Sequence, residues 1–200
     1  MGVFQHWPNR ITALRLLGAI VLFCVFALFG AGLDANPTMM RVAFWLFVIT
    51  AATDALDGYL ARRNKLITAF GRIADPFVDK VLVVGSMVYL AVMEWSRPWF
   101  PAWVVVVIVA REFLVTGIRG YVESVGREFP ADWFGKIKMT FQCVAIADVM
   151  FVFSHDWSPG WESFWRMLGY LAVGATVLTT VGSGLSYVFK TQKLLLGTDR

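Results

Sequence analysis

Asp54-Ala55-Leu56-Asp57-Gly58-Tyr59-Leu60-Ala61-Arg62, followed after eight residues by Gly71-Arg72-Ile73-Ala74-Asp75-Pro76-Phe77-Val78-Asp79, sets four aspartates at the junction of two apolar runs. A carboxylate inside a spanning helix is disfavoured by about 2.5–3.5 kcal/mol, so each one needs a partner, water or a metal. Helical residues advance about 100° each, which puts Asp54 and Asp57 on one face and Asp75 and Asp79 on another. The basic stretch between them turns the chain back and lets the two acidic faces converge. Four carboxylates at close range repel one another unless some take up protons or a cation binds. Hard oxygen ligands select Mg or Mn, and two such ions about 3.5–4 Å apart can clamp the attacking and leaving oxygens of phosphoryl transfer. Gly58, Ala61 and Gly71 leave room for a ligand, and Arg62, one turn after Gly58, suits a phosphate. The plain structural alternative pairs these aspartates with Arg62, Arg63, Lys65, Arg72 and Lys80. Two short-spaced acidic pairs, small residues and an arginine at fixed places favour a metal site that handles a diphosphate.

The surroundings place this motif in a membrane. Of 200 residues, 58% are hydrophobic and only 16% charged, whereas soluble domains use roughly 45–50% apolar residues. Six segments approach the roughly 20 apolar residues that a span requires: Ile11–Leu33, Thr38–Leu60, Arg72–Met93, Pro101–Tyr121, Asp132–Ser154 and Phe164–Phe189. Turn chemistry separates them at Asn36-Pro37, Arg97-Pro98, Phe129-Pro130 and Ser158-Pro159-Gly160. The expected fold is all-α and polytopic, with one domain over residues 1–200 and no removable signal at Met1–Trp7. Cys24 and Cys143 lie in apolar runs and indicate neither disulfide nor thiol metal site.

Basic residues divide between the ends of these segments. Arg10, Arg15, Arg62, Arg63, Lys65, Arg72, Arg111, Arg119, Arg127, Lys136, Lys138, Lys190, Lys193 and Arg200 gather at one set of ends, and Arg41, Arg97 and Arg166 at the other. Positive residues favour the cytoplasm, so both termini are expected there, in a cell (inner) membrane. Trp95, Trp99, Trp103, Trp157, Trp161 and Trp165 fall on the opposite side, as interface anchors do. Membrane lipids are expected partners, and nucleic acid is not.

At the quoted residues the chain resembles the CDP-alcohol phosphotransferase family, whose pattern Asp54-x2-Asp57-Gly58-x2-Ala61-Arg62-x8-Gly71-x3-Asp75-x3-Asp79 is matched at every defined position. Pro8-Asn9-Arg10-Ile11-Thr12 is similar to a short stretch that members carry before the first spanning helix. The resemblance implies six spanning helices, a cytosol-facing polar cavity, two divalent cations and a homodimer. It also implies that Asp54, Asp57, Asp75 and Asp79 are metal ligands, that Asp79 is the general base, and that Gly58, Arg62 and Thr68 hold the CDP moiety. Ala61, Gly71 and the Pro8–Thr12 stretch lie beside that donor.

Within the family, Asp75-Pro76-Phe77-Val78-Asp79-Lys80-Val81-Leu82 and Ala110-Arg111-Glu112-Phe113-Leu114-Val115-Thr116-Gly117-Ile118-Arg119 look like the phosphatidylglycerophosphate-forming branch. Gly135-Lys136-Ile137-Lys138-Met139-Thr140 is similar to a third stretch of that branch, with Met139 intervening. The implied substrates are CDP-diacylglycerol and glycerol 3-phosphate. Arg111, Arg119, Lys136 and Lys138 are the candidates for the acceptor's phosphate, Arg111 foremost because it interrupts an apolar run. Glu112, adjacent, is expected to point elsewhere on the helix. The alternatives are another acceptor, such as phosphatidylglycerol, inositol phosphate or serine, and a divalent-cation transporter. Against the transporter stands the position of the acidic motif, at a helix end beside a basic loop.

Overall fold

The computed structural model describes the backbone of residues 7–30, 35–64, 69–126 and 133–196; the side chains of 7–8, 54–64, 69–70, 72, 133–134, 136 and 193–196 fall outside the description. Six α-helices result: α1 Trp7–Phe29, α2 Pro37–Asn64, α3 Ala69–Val92, α4 Ala102–Ser124, α5 Trp133–Ser154 and α6 Pro159–Leu196. No strand occurs among the described residues.

The ends of these helices follow from proline and cap chemistry. Asn36 caps α2, its Oδ1 accepting from the backbone N–H of Thr38 at 3.0 Å and of Met39 at 3.1 Å. Pro37 then occupies the first helical position, where a missing N–H loses nothing. The same tolerance corrects two sequence expectations. Pro8-Asn9-Arg10-Ile11-Thr12 lies inside the first turns of α1 rather than ahead of it, and Ser158-Pro159-Gly160, expected as a break, carries the start of α6. That start gains a Glu162 carboxylate in its first turn, bonded to Arg166 Nε one turn on at 2.9 Å. At 38 residues α6 spans about 57 Å at 1.5 Å per residue, so it outruns a hydrocarbon core about 30 Å thick.

The helices close a ring in the order α1, α2, α5, α6, α4, α3 and back to α1, with α3 also touching α2 and α5. Leu22 and Phe26 of α1, Phe47 of α2, Met87 and Leu90 of α3, Ile108 of α4 and Ile146 and Met150 of α5 fill the interior. Close approach depends on small residues: a Cβ on Gly85 would lie 2.3 Å from Phe23 Cζ, and one on Gly18 would lie 2.8 Å from Thr50 Oγ1. The outer faces carry Leu14, Leu28, Ile49, Phe113 and Leu178, all exposed. Apolar side chains outside and Thr50, Ser86, Thr176 and Thr180 inside are the distribution expected of helices dissolved in lipid.

Among the described residues three helices, over Asn9–Phe29, Ile137–Ser154 and Pro159–Gln192, are long and apolar enough to cross a membrane, and Pro37–Thr53 is a shorter apolar helical stretch. At one end Arg41 donates to the Ser154 carbonyl at 2.7 and 3.1 Å, Trp95 stacks on Phe153 at 4.2 Å, and Arg166 lies 4.8 Å over the Trp99 ring. Toward the other end of the bundle lie Asp75, Asp79, Arg119 and Lys138.

Candidate active site

α3 brings Asp75 and Asp79 one turn apart on a single face, and α1 meets that face with Thr12 and Arg15, in line with Asn9 one turn before Thr12. These three residues, spaced by three, form a buried polar stripe whose continuation into Ala19, Leu22 and Phe26 is apolar. Arg15, 3% exposed, donates from Nη1 to Asp79 Oδ1 at 2.8 Å and from Nη2 to Asp75 Oδ1 at 3.0 Å. Thr12 Oγ1 donates to the same Asp75 oxygen at 2.5 Å. One guanidinium thus bridges two carboxylates whose side chains are 44% and 22% exposed, so the pair is held from inside the bundle and accessible from outside it. The described ion pairs of Asp75 and Asp79 are with Arg15; the structural alternative had offered Lys80, which bonds Thr116 instead, and Arg72, whose side chain lies outside the described residues.

Lys80 follows Asp79 directly and turns toward α4, its Nζ donating to Thr116 Oγ1 at 2.6 Å. There a second polar cluster begins. Arg111, buried on α4, donates from Nε to Ser183 Oγ at 3.0 Å and from Nη1 to Glu112 Oε1 at 3.2 Å. Lys138 of α5 forms an ion pair with the same Glu112 oxygen. Arg119 Nη2 donates to the Tyr187 hydroxyl at 2.8 Å, and the Tyr187 ring lies 5.6 Å from the Arg111 guanidinium carbon and 6.0 Å from that of Arg119. Glu112 therefore does not point away from Arg111 as expected. The two Cα–Cβ vectors diverge, but the long guanidinium stem reaches back to the neighbouring carboxylate.

Of the residues singled out in the sequence, Thr12, Asp75 and Asp79 come together in the first cluster, and Arg111, Lys138 and Arg119 in the second. Asn9 is buried beside the first, Gly71 is buried on α3, Ile11 is half-buried and Arg10 exposed. Asp54, Asp57, Gly58, Ala61 and Arg62 occupy the last turns of α2, which stays helical through Asn64. The side chains of these five, of Pro8 and of Lys136 lie outside the described residues, as does Thr68 altogether. Sequence reasoning missed Arg15, Lys80, Thr116, Ser183 and Tyr187 as members of these clusters. The one signal available was Arg15 itself, a cation within an apolar run that needs a buried partner.

The donor set suits a hard divalent cation. Asp75 and Asp79 offer carboxylate oxygens one helical turn apart, the hard donors such an ion takes, although no group of three or more His, Cys, Asp or Glu converges among the described residues.

Residues 5–181 match the family model described as CDP-alcohol phosphatidyltransferase. The chain is 35% identical over 194 residues to the CDP-diacylglycerol--glycerol-3-phosphate 3-phosphatidyltransferase of Bacillus subtilis (strain 168), covering 94% of this chain and 96% of that one. It is 33% identical over 181 residues to a probable phosphatidylglycerophosphate synthase of Mycobacterium tuberculosis, covering 90% and 78%. The Rickettsia bellii CDP-diacylglycerol--glycerol-3-phosphate 3-phosphatidyltransferase is 31% identical over 147 residues, covering 74% and 76%.

Proposed function

The chain belongs to the CDP-alcohol phosphatidyltransferase family, and from that membership we propose that it transfers the phosphatidyl group of CDP-diacylglycerol to glycerol 3-phosphate, giving phosphatidylglycerophosphate and CMP. The relatives named for this reaction support it across nearly the whole chain. The observation that carries the acceptor assignment is the adjacency of the two clusters. Asp79 faces Arg15 on α1 while Lys80, the next residue, faces the α4 cluster that holds Arg111. A carboxylate able to take a proton thus sits one residue from a cationic region able to receive the acceptor's phosphate.

In this reading Asp79 removes the proton from the 1-hydroxyl of glycerol 3-phosphate. The hydroxyl oxygen attacks the phosphorus that bears diacylglycerol, and the bond from that phosphorus to CMP breaks. Arg111, Arg119, Lys136 and Lys138 bind the acceptor's phosphate by charge-assisted hydrogen bonds. Gly58, Ala61, Arg62, Thr68 and Gly71 accommodate the CDP moiety, with Pro8–Thr12 alongside. Asp54, Asp57, Asp75 and Asp79 would hold two divalent cations, Mg or Mn, which when bound neutralise diphosphate charge. Arg15 and Thr12 keep Asp75 and Asp79 turned toward one another.

The family's character and the apolar helices support a membrane protein. We read all six helices as spanning, within a single domain over residues 1–200, with the site opening to the cytosol and both termini on that side of the inner membrane. α3 and α4 carry their charges, Asp75, Asp79 and Lys80, and Arg111, Glu112 and Arg119, toward the bundle and its rim. A homodimer surrounded by membrane lipids completes the reading. Purified protein supplied with CDP-diacylglycerol and a panel of radiolabelled acceptors tests it. Labelled lipid should form from glycerol 3-phosphate; turnover of phosphatidylglycerol, serine or inositol phosphate in its place sinks the assignment.

A further inference from the structure

Two side chains of α6 hold both arginines that α4 contributes to the cationic cluster. Ser183 and Tyr187 lie one turn apart on α6 and are buried, at 0% and 2% exposure. Ser183 Oγ accepts from Arg111 Nε at 3.0 Å. The Tyr187 hydroxyl accepts from Arg119 Nη2 at 2.8 Å, and its ring underlies both guanidinium groups, at 5.6 and 6.0 Å. Arg111 and Arg119 are eight residues apart on α4, about 2.2 turns, so their stems start about 12 Å apart along the axis and about 80° apart around it. Both side chains nevertheless reach the same Tyr187 side chain, Arg111 toward its ring and Arg119 at its hydroxyl, so one neutral residue gathers two cations while offering no competing anion.

We propose that Tyr187, assisted by Ser183, is a positioning residue that sets the acceptor's phosphate site: it converges Arg111 and Arg119 on one anion and thereby makes the enzyme select a phosphorylated acceptor. This rests on reading Arg111 and Arg119 as ligands of that phosphate. A carboxylate at position 187 would hold two arginines more strongly, but it would neutralise them. The neutral ring orders them and leaves their charge for the incoming phosphate. Glu112, by contrast, is already shared between Arg111 and Lys138, which leaves the cluster with more cations than carboxylates among the described residues.

The test is steady-state kinetics of full-length protein in detergent–lipid micelles, varying glycerol 3-phosphate and CDP-diacylglycerol separately. Tyr187→Phe keeps the ring and loses the Arg119 bond, so the KM for glycerol 3-phosphate should rise roughly 2–10-fold. Tyr187→Leu loses the ring as well and should raise it roughly 10–100-fold. Ser183→Ala should resemble the phenylalanine variant. In each the KM for CDP-diacylglycerol should stay at the wild-type value, a split that a merely structural role would not produce. Should Tyr187→Leu fail to fold, the Phe and Ala variants decide. Unchanged KM for glycerol 3-phosphate in both overturns the proposal, as does an equal rise for both substrates. Wild-type protein that ignores glycerol 3-phosphate and turns over an unphosphorylated acceptor overturns instead the underlying reading of the arginines.

Discussion

Arg15→Gln removes the cation that joins α1 to the paired carboxylates of α3, and the structure sets the size of the loss. The guanidinium is 3% exposed and makes two ion-paired hydrogen bonds, at 2.8 and 3.0 Å. Breaking a fully buried pair by removing one partner is destabilising by about 3–5 kcal/mol. Here Asp75 and Asp79 are 44% and 22% exposed, so water takes up part of their charge and a loss of about 2–3 kcal/mol is expected. For a chain of this length that lowers the thermal midpoint by roughly 4–12 °C. Thermal unfolding of detergent-solubilised protein in the presence of a chelator measures it, with Arg15→Lys as a partial rescue. A double-mutant cycle with Asp79→Asn isolates the pair, because a carboxylate without its cation gains from neutralisation. The double variant should be more stable than the sum of the single losses allows. An Arg15→Gln protein as stable as wild type, or strictly additive effects in the cycle, would refute the bridging role.

Three further outcomes follow from other contacts. Glu112→Gln leaves Arg111 and Lys138 without their shared carboxylate and should lower stability by about 2–4 kcal/mol, part of it recovered in the Glu112→Gln/Lys138→Met double variant; thermal midpoints report both. Gly85→Ala places a methyl 2.3 Å from Phe23 Cζ, so the ring must leave its 5.5 Å stack on Tyr89. A loss of about 1–3 kcal/mol from the α1–α3 contact is expected in the same assay. Asp79→Asn should abolish CMP release while the protein still inserts and purifies normally; wild-type turnover in that variant removes Asp79 from the role of base.

The helices were legible because each apolar run is long and its breaks carry proline or asparagine. Their ends were less so. Pro37 and Pro159 read as breaks yet sit in first turns, where proline is tolerated, and the polar residues Arg62–Asn64 and Thr191–Gln192 continue helices beyond their apolar spans. The Asp75–Asp79 pair was legible from spacing alone, since helical geometry puts residues four apart on one face; the side chains of Asp54 and Asp57 lie outside the described residues. What spacing could not give was the partner across the bundle. Arg15 reads as one basic residue among many near a helix end, and only the rotation of α1 against α3 buries it on Asp75 and Asp79. Ser183 and Tyr187 were hidden for the same reason, because α4 and α6 pair in space but not in sequence. Asp148, a carboxylate buried in α5 beside Gly169 and Trp99, also went unnoticed among the apolar residues around it.

Direct phosphatidyl transfer is tested most plainly by the fate of the acceptor's oxygen. Glycerol 3-phosphate labelled with oxygen-18 in its 1-hydroxyl, incubated with the wild-type enzyme and CDP-diacylglycerol, should yield phosphatidylglycerophosphate that retains the label between glycerol and phosphorus, with unlabelled CMP in equal amount. Label appearing in CMP, or CMP released without labelled lipid, would contradict attack by that hydroxyl on the phosphorus that carries diacylglycerol.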